Sequence, residues 1–162
     1  MQFTCSFVSL ANFCIPPCLL VSNTSDIVAI DYKRATLNPV VTGLSRAVAI
    51  DVHFSLSYIF WSDVTDLNIK RFGIGGSTTT IITGIGVCGG LAVNWRTSQL
   101  YWTDESYDKI SVSDLEGNNQ VALIYSGLDA PRDISLDPDN GYVLQYISAC
   151  EKAVAQEPAG FI

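Results

Sequence analysis

From Ala47 onward the chain alternates between short apolar runs and short polar clusters. AVAID, YIFWSD, NIKRF and TTIIT come first, followed by GLAVN, LYWTD, KISVSD and VALIYS. Each run is four to six residues long and rich in Val, Ile, Tyr, Trp and Thr, with Gly, Asn, Asp and Ser between runs, which is the composition of strands and tight turns. KISVSD alternates with period two, as a half-buried strand does. EGNNQ, residues 116–120, is turn chemistry, because Gly and Asn accept positive φ. No stretch sustains a 3.6-residue period, so the pattern predicts an all-β chain.

The runs also repeat. SYIFWSDVTDLNIKRFGIGG (57–76) matches QLYWTDESYDKISVSDLEGN (99–118), and Trp61 and Trp102 lie 41 residues apart, as do Asp63 and Asp104. The lead-ins match too: TGLSRAVAIDV starts at Thr42, TGIGVCGGLAVNW at Thr83, and a third start, SGLDAPRDISLDP, at Ser126. Asp51, Asn94 and Asp137 recur at intervals of 43 and are expected at one equivalent position. A period of 40 to 45 with four short strands in each repeat is the signature of a propeller blade array. Successive blades cover both faces of each sheet, which accounts for strands more apolar than an open sheet requires.

Composition narrows the function classes. The 162 residues are 48% hydrophobic and 15% charged, enough for one domain with a real core and unlike a disordered chain. A net charge of −7 and nine scattered Lys and Arg form no basic stripe, which argues against nucleic acid as a partner. The five cysteines, Cys5, Cys14, Cys18, Cys88 and Cys150, are odd in number, and His53 is the only histidine, so no set of metal ligands assembles. The first charge is Asp26. The uncharged stretch before it lacks the basic start of a secretory signal, and no apolar run is long enough to span a membrane. Asn23-Thr24-Ser25 fits an N-glycosylation acceptor. No GxSxG, HExxH or P-loop is present, and no cofactor is expected.

LYWTD, with GLAVNW before it and ISVSDLEG after it, resembles the YWTD, or class B, repeats of the low-density lipoprotein receptor family. FWSD at 60–63 is a degenerate copy, and AIDVHFSLSYIFWSDVTDLNIKR looks most like the Wnt co-receptor branch. LLVSNTSDIVAID, from Leu19, resembles the strand pair that opens such propellers. The resemblance implies part of a six-bladed β-propeller, about two full blades and parts of two more. Residues 19–143 are the expected propeller fragment. Residues 1–18 are an uncharged leader or the remnant of a Cys-rich or signal segment. Residues 144–162 are a divergent tail outside the propeller, suited to a short helix, because Gln145 stands where a Trp is expected. The abrupt end of the match implies a truncated product.

In that family the motif is scaffold rather than chemistry. Phe60, Trp61, Ser62, Asp63, Tyr101, Trp102, Thr103 and Asp104 would hold the blades, the aromatics filling space between sheets and the Asp tying neighbouring blades. Ligands would meet the loops that lead into each blade and those after the motif strand: Ser45 and Arg46, then Val64, Thr65, Asp66 and Leu67, then Gly89, and Glu105, Ser106 and Tyr107. Arg46, Leu67 and Gly89 depart from the more acidic loops of the Wnt branch, and Cys88 stands where the family usually has Pro. The resemblance implies a non-enzymatic extracellular module that binds a Wnt-type or other secreted protein as part of a receptor at the plasma membrane. A matrix propeller of nidogen type is the alternative, and a calcium-dependent propeller hydrolase, faintly suggested by LDPDNGY, a more distant one.

Overall fold

The computed structural model describes residues 3–6, 18–31, 33–73, 75–139, 142–147 and 151–156, with side chains over 19–31, 33–73 and 75–139. Among the described residues, fifteen strands form four antiparallel sheets, each a simple up-and-down meander. The first sheet holds β1 (Phe3–Ser6), β2 (Cys18–Ser22), β3 (Ile27–Asp31) and β4 (Thr36–Val41). The second holds β5 (Ala47–His53), β6 (Tyr58–Asp63), β7 (Asn68–Phe72) and β8 (Thr78–Thr83). The third holds β9 (Leu91–Asn94), β10 (Gln99–Asp104), β11 (Lys109–Asp114) and β12 (Val121–Ile124), and the fourth β13 (Pro131–Asp137), β14 (Tyr142–Ile147) and β15 (Glu151–Gln156).

The hairpins are set by repeated turn chemistry. The first-to-second strand turns close on Ser57 and Ser98, at φ 52 and 54, and the second-to-third turns on Leu67 and Asp108, at φ 50 and 48. Each pair is 41 residues apart, so one left-handed residue per turn recurs with the sequence period.

Packing follows from the two-residue period of a strand. Consecutive side chains point to opposite faces, so each motif strand serves two cores. Trp61 packs with Leu20, Ile27, Ala29 and Val41 between the first and second sheets. Its neighbour Phe60 turns the other way, joining Trp102, Leu91 and Leu100 between the second and third. Tyr101 then packs with Ile110, Val112 and Ile134 between the third and fourth. All four aromatics are buried.

The two end sheets are larger than the sequence suggests. The first gains β1, which pairs with β2, and the fourth is three strands wide. Glu151–Gln156 is a strand rather than the expected helix, paired with β14 from Tyr142↔Gln156 to Ile147↔Glu151. Its side-chain composition favours a helix only weakly, and a free strand edge offers backbone partners that outweigh that preference. Strand β14 runs across the expected boundary at 143/144, with Gln145 opposite Ile134. Most of the expected leader, residues 7–17, lies outside the described residues, as do the side chains of Cys5, Cys14, Cys18 and Cys150.

Candidate functional site

In an up-and-down meander, the turns between second and third strands all emerge at one end of the sheets. Residues 23–26, 64–67 and 105–108 are these turns, set by the pairs Ser22↔Ile27, Asp63↔Asn68 and Asp104↔Lys109. The segments leading into the next sheets return to the same end and are bonded to them. Leu44 N–H donates to the Ser25 carbonyl at 2.8 Å and Ala47 N–H to that of Thr24 at 2.8 Å. Ser45 Oγ lies 3.3 Å from Asp66 Oδ2, and Val64 N–H donates to the Arg46 carbonyl at 3.1 Å. Around the third sheet, Glu105 N–H donates to the Val87 carbonyl at 2.8 Å and Val87 N–H to Ser106 Oγ at 3.0 Å. Ala130 N–H reaches Asp108 Oδ1 at 2.9 Å.

The predicted ligand-face residues therefore gather into two groups, Ser45 and Arg46 with residues 64–67, and Gly89 with residues 105–107. A Cβ on Gly89 would lie 2.6 Å from Glu105 Oε1 and 3.0 Å from the Arg132 carbonyl oxygen, so this position accepts only glycine without displacement. Three large apolar side chains stand exposed at this end: Leu67 (42%), Val87 (39%) and Tyr107 (62%). Around them lie charges of both signs. Lys109 Nζ is 5.1 Å from the Tyr107 ring centroid, Arg132 Nε is 3.9 Å from Glu105 Oε2, and Lys70 Nζ bridges Asp66 at 2.6 Å and Asp63 at 3.2 Å. Burial alone would raise the Asp63 pKa, but the Asp66 N–H, the Lys70 ammonium and the Thr65 N–H together hold it below the usual carboxylate range.

The motif residues divide their work differently from the expectation. Asp63 Oδ1 accepts the N–H groups of Thr65 and Asp66, inside its own hairpin. Asp104 Oδ1 likewise accepts Ser106 and Tyr107, while Oδ2 takes Gly86 N–H in the segment leading into its own sheet. The aspartates fix turns. The sheets are tied instead by the third letter of the motif. Ser62 Oγ accepts Ala49 N–H at 3.0 Å and donates to the Cys88 carbonyl of the segment leading into the third sheet at 2.8 Å. Thr103 Oγ1 accepts Gly90 N–H at 2.9 Å and donates to the Arg132 carbonyl of the fourth at 3.1 Å. Ser22, at the aspartate position of the first sheet, donates to the Ala47 carbonyl at 2.8 Å. The signal was available in the sequence as two hydroxyls 41 residues apart, but the more polar aspartates drew the assignment.

Register also separates Asp51 from Asn94 and Asp137. Asn94 pairs with Gln99 and Asp137 with Tyr142, each closing its strand, and the matching residue of the second sheet is His53, opposite Tyr58. Asp51 lies two residues earlier, opposite Phe60. The two-residue error arises because the likeness of AVAID to GLAVN suggests 43, whereas the pairing of the second and third sheets repeats at 41. The roles differ accordingly. Asn94 Oδ1 caps its turn through Arg96 and Thr97 N–H, whereas Asp51 Oδ2 accepts Val93 N–H of the third sheet at 2.7 Å.

Asp51 also lines a concavity of about 430 Å³ that runs along β5, β9 and β13, the first strands of their sheets, and includes Phe54, Trp95, Asp133 and Pro138. Burial raises the Asp51 carboxyl to about 6, against the pull of the Val93 and Val52 N–H groups. Buried Cys88 is pushed to about 12 by burial, so its thiol is inert. Among the described residues no group of three His, Cys, Asp or Glu side chains could hold a metal ion, and no helix is long and apolar enough to cross a membrane.

Comparison with known proteins places these features. Residues 98–138 match the low-density lipoprotein receptor repeat class B family. The low-density lipoprotein receptor-related protein 5 of Mus musculus is 34% identical over 143 residues, covering 85% of this chain and 9% of that protein. The same protein of Homo sapiens is 35% identical over 133 residues, covering 78% and 8%. The chain thus spans less than a tenth of these relatives. Among solved structures, a chain of a nidogen/laminin complex superposes with a TM-score of 0.75 at 23% identity, over 88% of this chain and 63% of that one. An auxiliary nutrient binding protein from Bacteroides thetaiotaomicron gives 0.69 at 16% identity, over 88% and 35%. At such identities the likeness establishes the fold: the four sheets are part of a β-propeller.

Proposed function

The chain belongs to the YWTD, or low-density lipoprotein receptor class B, repeat family, and from that premise we propose that it is part of an extracellular, non-enzymatic module that binds a protein ligand. The contact surface is the end of the sheets at which residues 64–67, 85–89 and 105–108 all emerge. One observation carries this reading: Leu67, Val87 and Tyr107 are exposed there together, on turns held rigid by the Asp63 and Asp104 carboxylates. Apolar groups on a fixed frame, rimmed by Arg132, Glu105 and Lys109, suit a protein partner, whose contact would desolvate the centre and leave the charges wet.

The relatives favour a receptor, with a Wnt-type or other secreted protein as ligand. The nidogen-like superposition supports the matrix alternative at the level of fold. The test is surface plasmon resonance on the longest natural protein containing this chain, with a Wnt-type protein and a laminin as separate analytes. Replacing Leu67, Val87 and Tyr107 together by Asp is expected to abolish binding of the cognate analyte while leaving the circular dichroism unchanged. Replacing Leu56 and Trp95, at the opposite end, is expected to leave binding intact, and the reverse pattern would overturn the assignment of the face.

A further inference from the structure

The turn of the first sheet that corresponds to the two ligand-face turns carries a feature they lack. Residues 23–26 occupy the place of 64–67 and 105–108, and their first three residues read Asn-Thr-Ser. We propose that Asn23 is an N-glycosylation site whose glycan stands over the Ser45–Arg46 side of the ligand face, so that a protein ligand docks toward the side built by Val87 and Tyr107.

The geometry supports both halves. Asn23, Thr24 and Ser25 are all exposed. The Asn23 side-chain oxygen is engaged within the turn, accepting Asp26 N–H at 2.8 Å with Ser25 Oγ at 3.4 Å. No hydrogen bond among the described residues uses its amide nitrogen, so attachment there breaks nothing in the fold. The reaction joins Asn23 Nδ2 to the first sugar carbon of a lipid-diphosphate-linked oligosaccharide. The carbon–oxygen bond to the diphosphate breaks, the lipid diphosphate leaves, and the amide nitrogen gives up one proton.

The second half follows from the neighbours. The carbonyls of Ser25 and Thr24 accept Leu44 and Ala47 N–H, the residues on either side of Ser45 and Arg46. A hydrated, mobile glycan rooted in this turn stands next to Arg46. The turn that carries Leu67 is bonded to Ser45 and Arg46, whereas Val87 and Tyr107 belong to the third sheet, farther round the array. The site itself is independent of the proposed ligand face; the placing of the ligand rests on it.

The test is the 162-residue chain fused to a secretory leader and translated with endoplasmic-reticulum microsomes. A glycoform is expected that peptide N-glycosidase removes, leaving a one-dalton signature of Asn-to-Asp conversion at position 23. Ser25→Ala should abolish it and Ser25→Thr preserve it; an unmodified Asn23 in the translocated chain overturns the site. Phenylglyoxal then probes shielding: Arg46 should react several-fold faster after deglycosylation, with Arg132 unchanged. Equal Arg46 rates in the two forms overturn the shielding. A ligand that binds through Arg46 with the glycan present overturns the placing of the ligand but not the site.

Discussion

The Ser62 hydroxyl donates to the Cys88 carbonyl at 2.8 Å and thereby joins the second sheet to the segment that opens the third. It also accepts Ala49 N–H, so one small side chain satisfies two buried backbone groups in different blades. Ser62→Ala is expected to lose about 1–3 kcal/mol, because both backbone groups lose their partner in a site closed to water. Thr103→Val should cost a similar amount at the next joint. Urea unfolding of the purified variants checks both, and a loss within error of zero at either joint would remove the hydroxyl from its proposed role.

Trp102 fills the core between the second and third sheets, but its indole N–H has no hydrogen-bond partner among the described residues. Size and polarity therefore separate at this position. Trp102→Ala is expected to cost about 3–5 kcal/mol by leaving a cavity. Trp102→Phe keeps much of the volume and removes an unsatisfied donor, so it should cost clearly less. Equal losses for the two would show that the N–H does have a partner in solution.

Asp51 gives a pH dependence of defined sign. Its carboxyl titrates near 6 in the fold and near 3.8 when unfolded, so the native state holds the proton more tightly. Its contribution to stability is greatest below the unfolded value, falls as pH rises from about 4 to about 6, and is flat above. At neutral pH the ionised group costs about 3 kcal/mol. Asp51→Asn retains an acceptor for Val93 N–H and should stabilise the protein at pH 7 but not at pH 4. Thermal melts of both proteins at the two values decide it, and equal stabilisation at both would remove ionisation as the cause.

Gly90, just before β9, lies tightly against the backbone of the fourth sheet. A Cβ there would lie 2.6 Å from the Arg132 carbonyl oxygen and 2.8 Å from Ile134 N, both backbone atoms that cannot swing aside. Gly90→Ala is expected to cost about 1–3 kcal/mol through overpacking. Exchange of the backbone amides of β13 should quicken first, and a variant with native protection in β13 would count against the tight approach.

The regular part of the fold was legible because its causes are local. AVAID, LYWTD and KISVSD carry their strand signal in side-chain alternation, and the 41-residue recurrence of Trp61 and Trp102 shows that the strands form like units. What was misread depends on partners far away in sequence. Nothing within Glu151–Gln156 declares a strand, since its pairing is supplied by β14. The equivalence of Asp51 with Asn94 failed because spacing in the chain is not register across a sheet. Residues 64–67 and 105–108, proposed as part of the ligand face, are turns, whereas Val87 went unnoticed because its exposure is decided by Ser106 and Glu105, which bind its backbone and leave its side chain outside.

The opposed directions of Phe60 and Trp61 bear on how the protein comes apart. Because neighbouring residues on one strand belong to different cores, each core among the described residues is shared property of two sheets. The cooperative unit of unfolding is then the joint rather than the blade. Damage at Trp61 should loosen the first and second sheets together while the joint around Tyr101 keeps its protection, so local stability along this chain is out of step with its sequence repeat by half a blade.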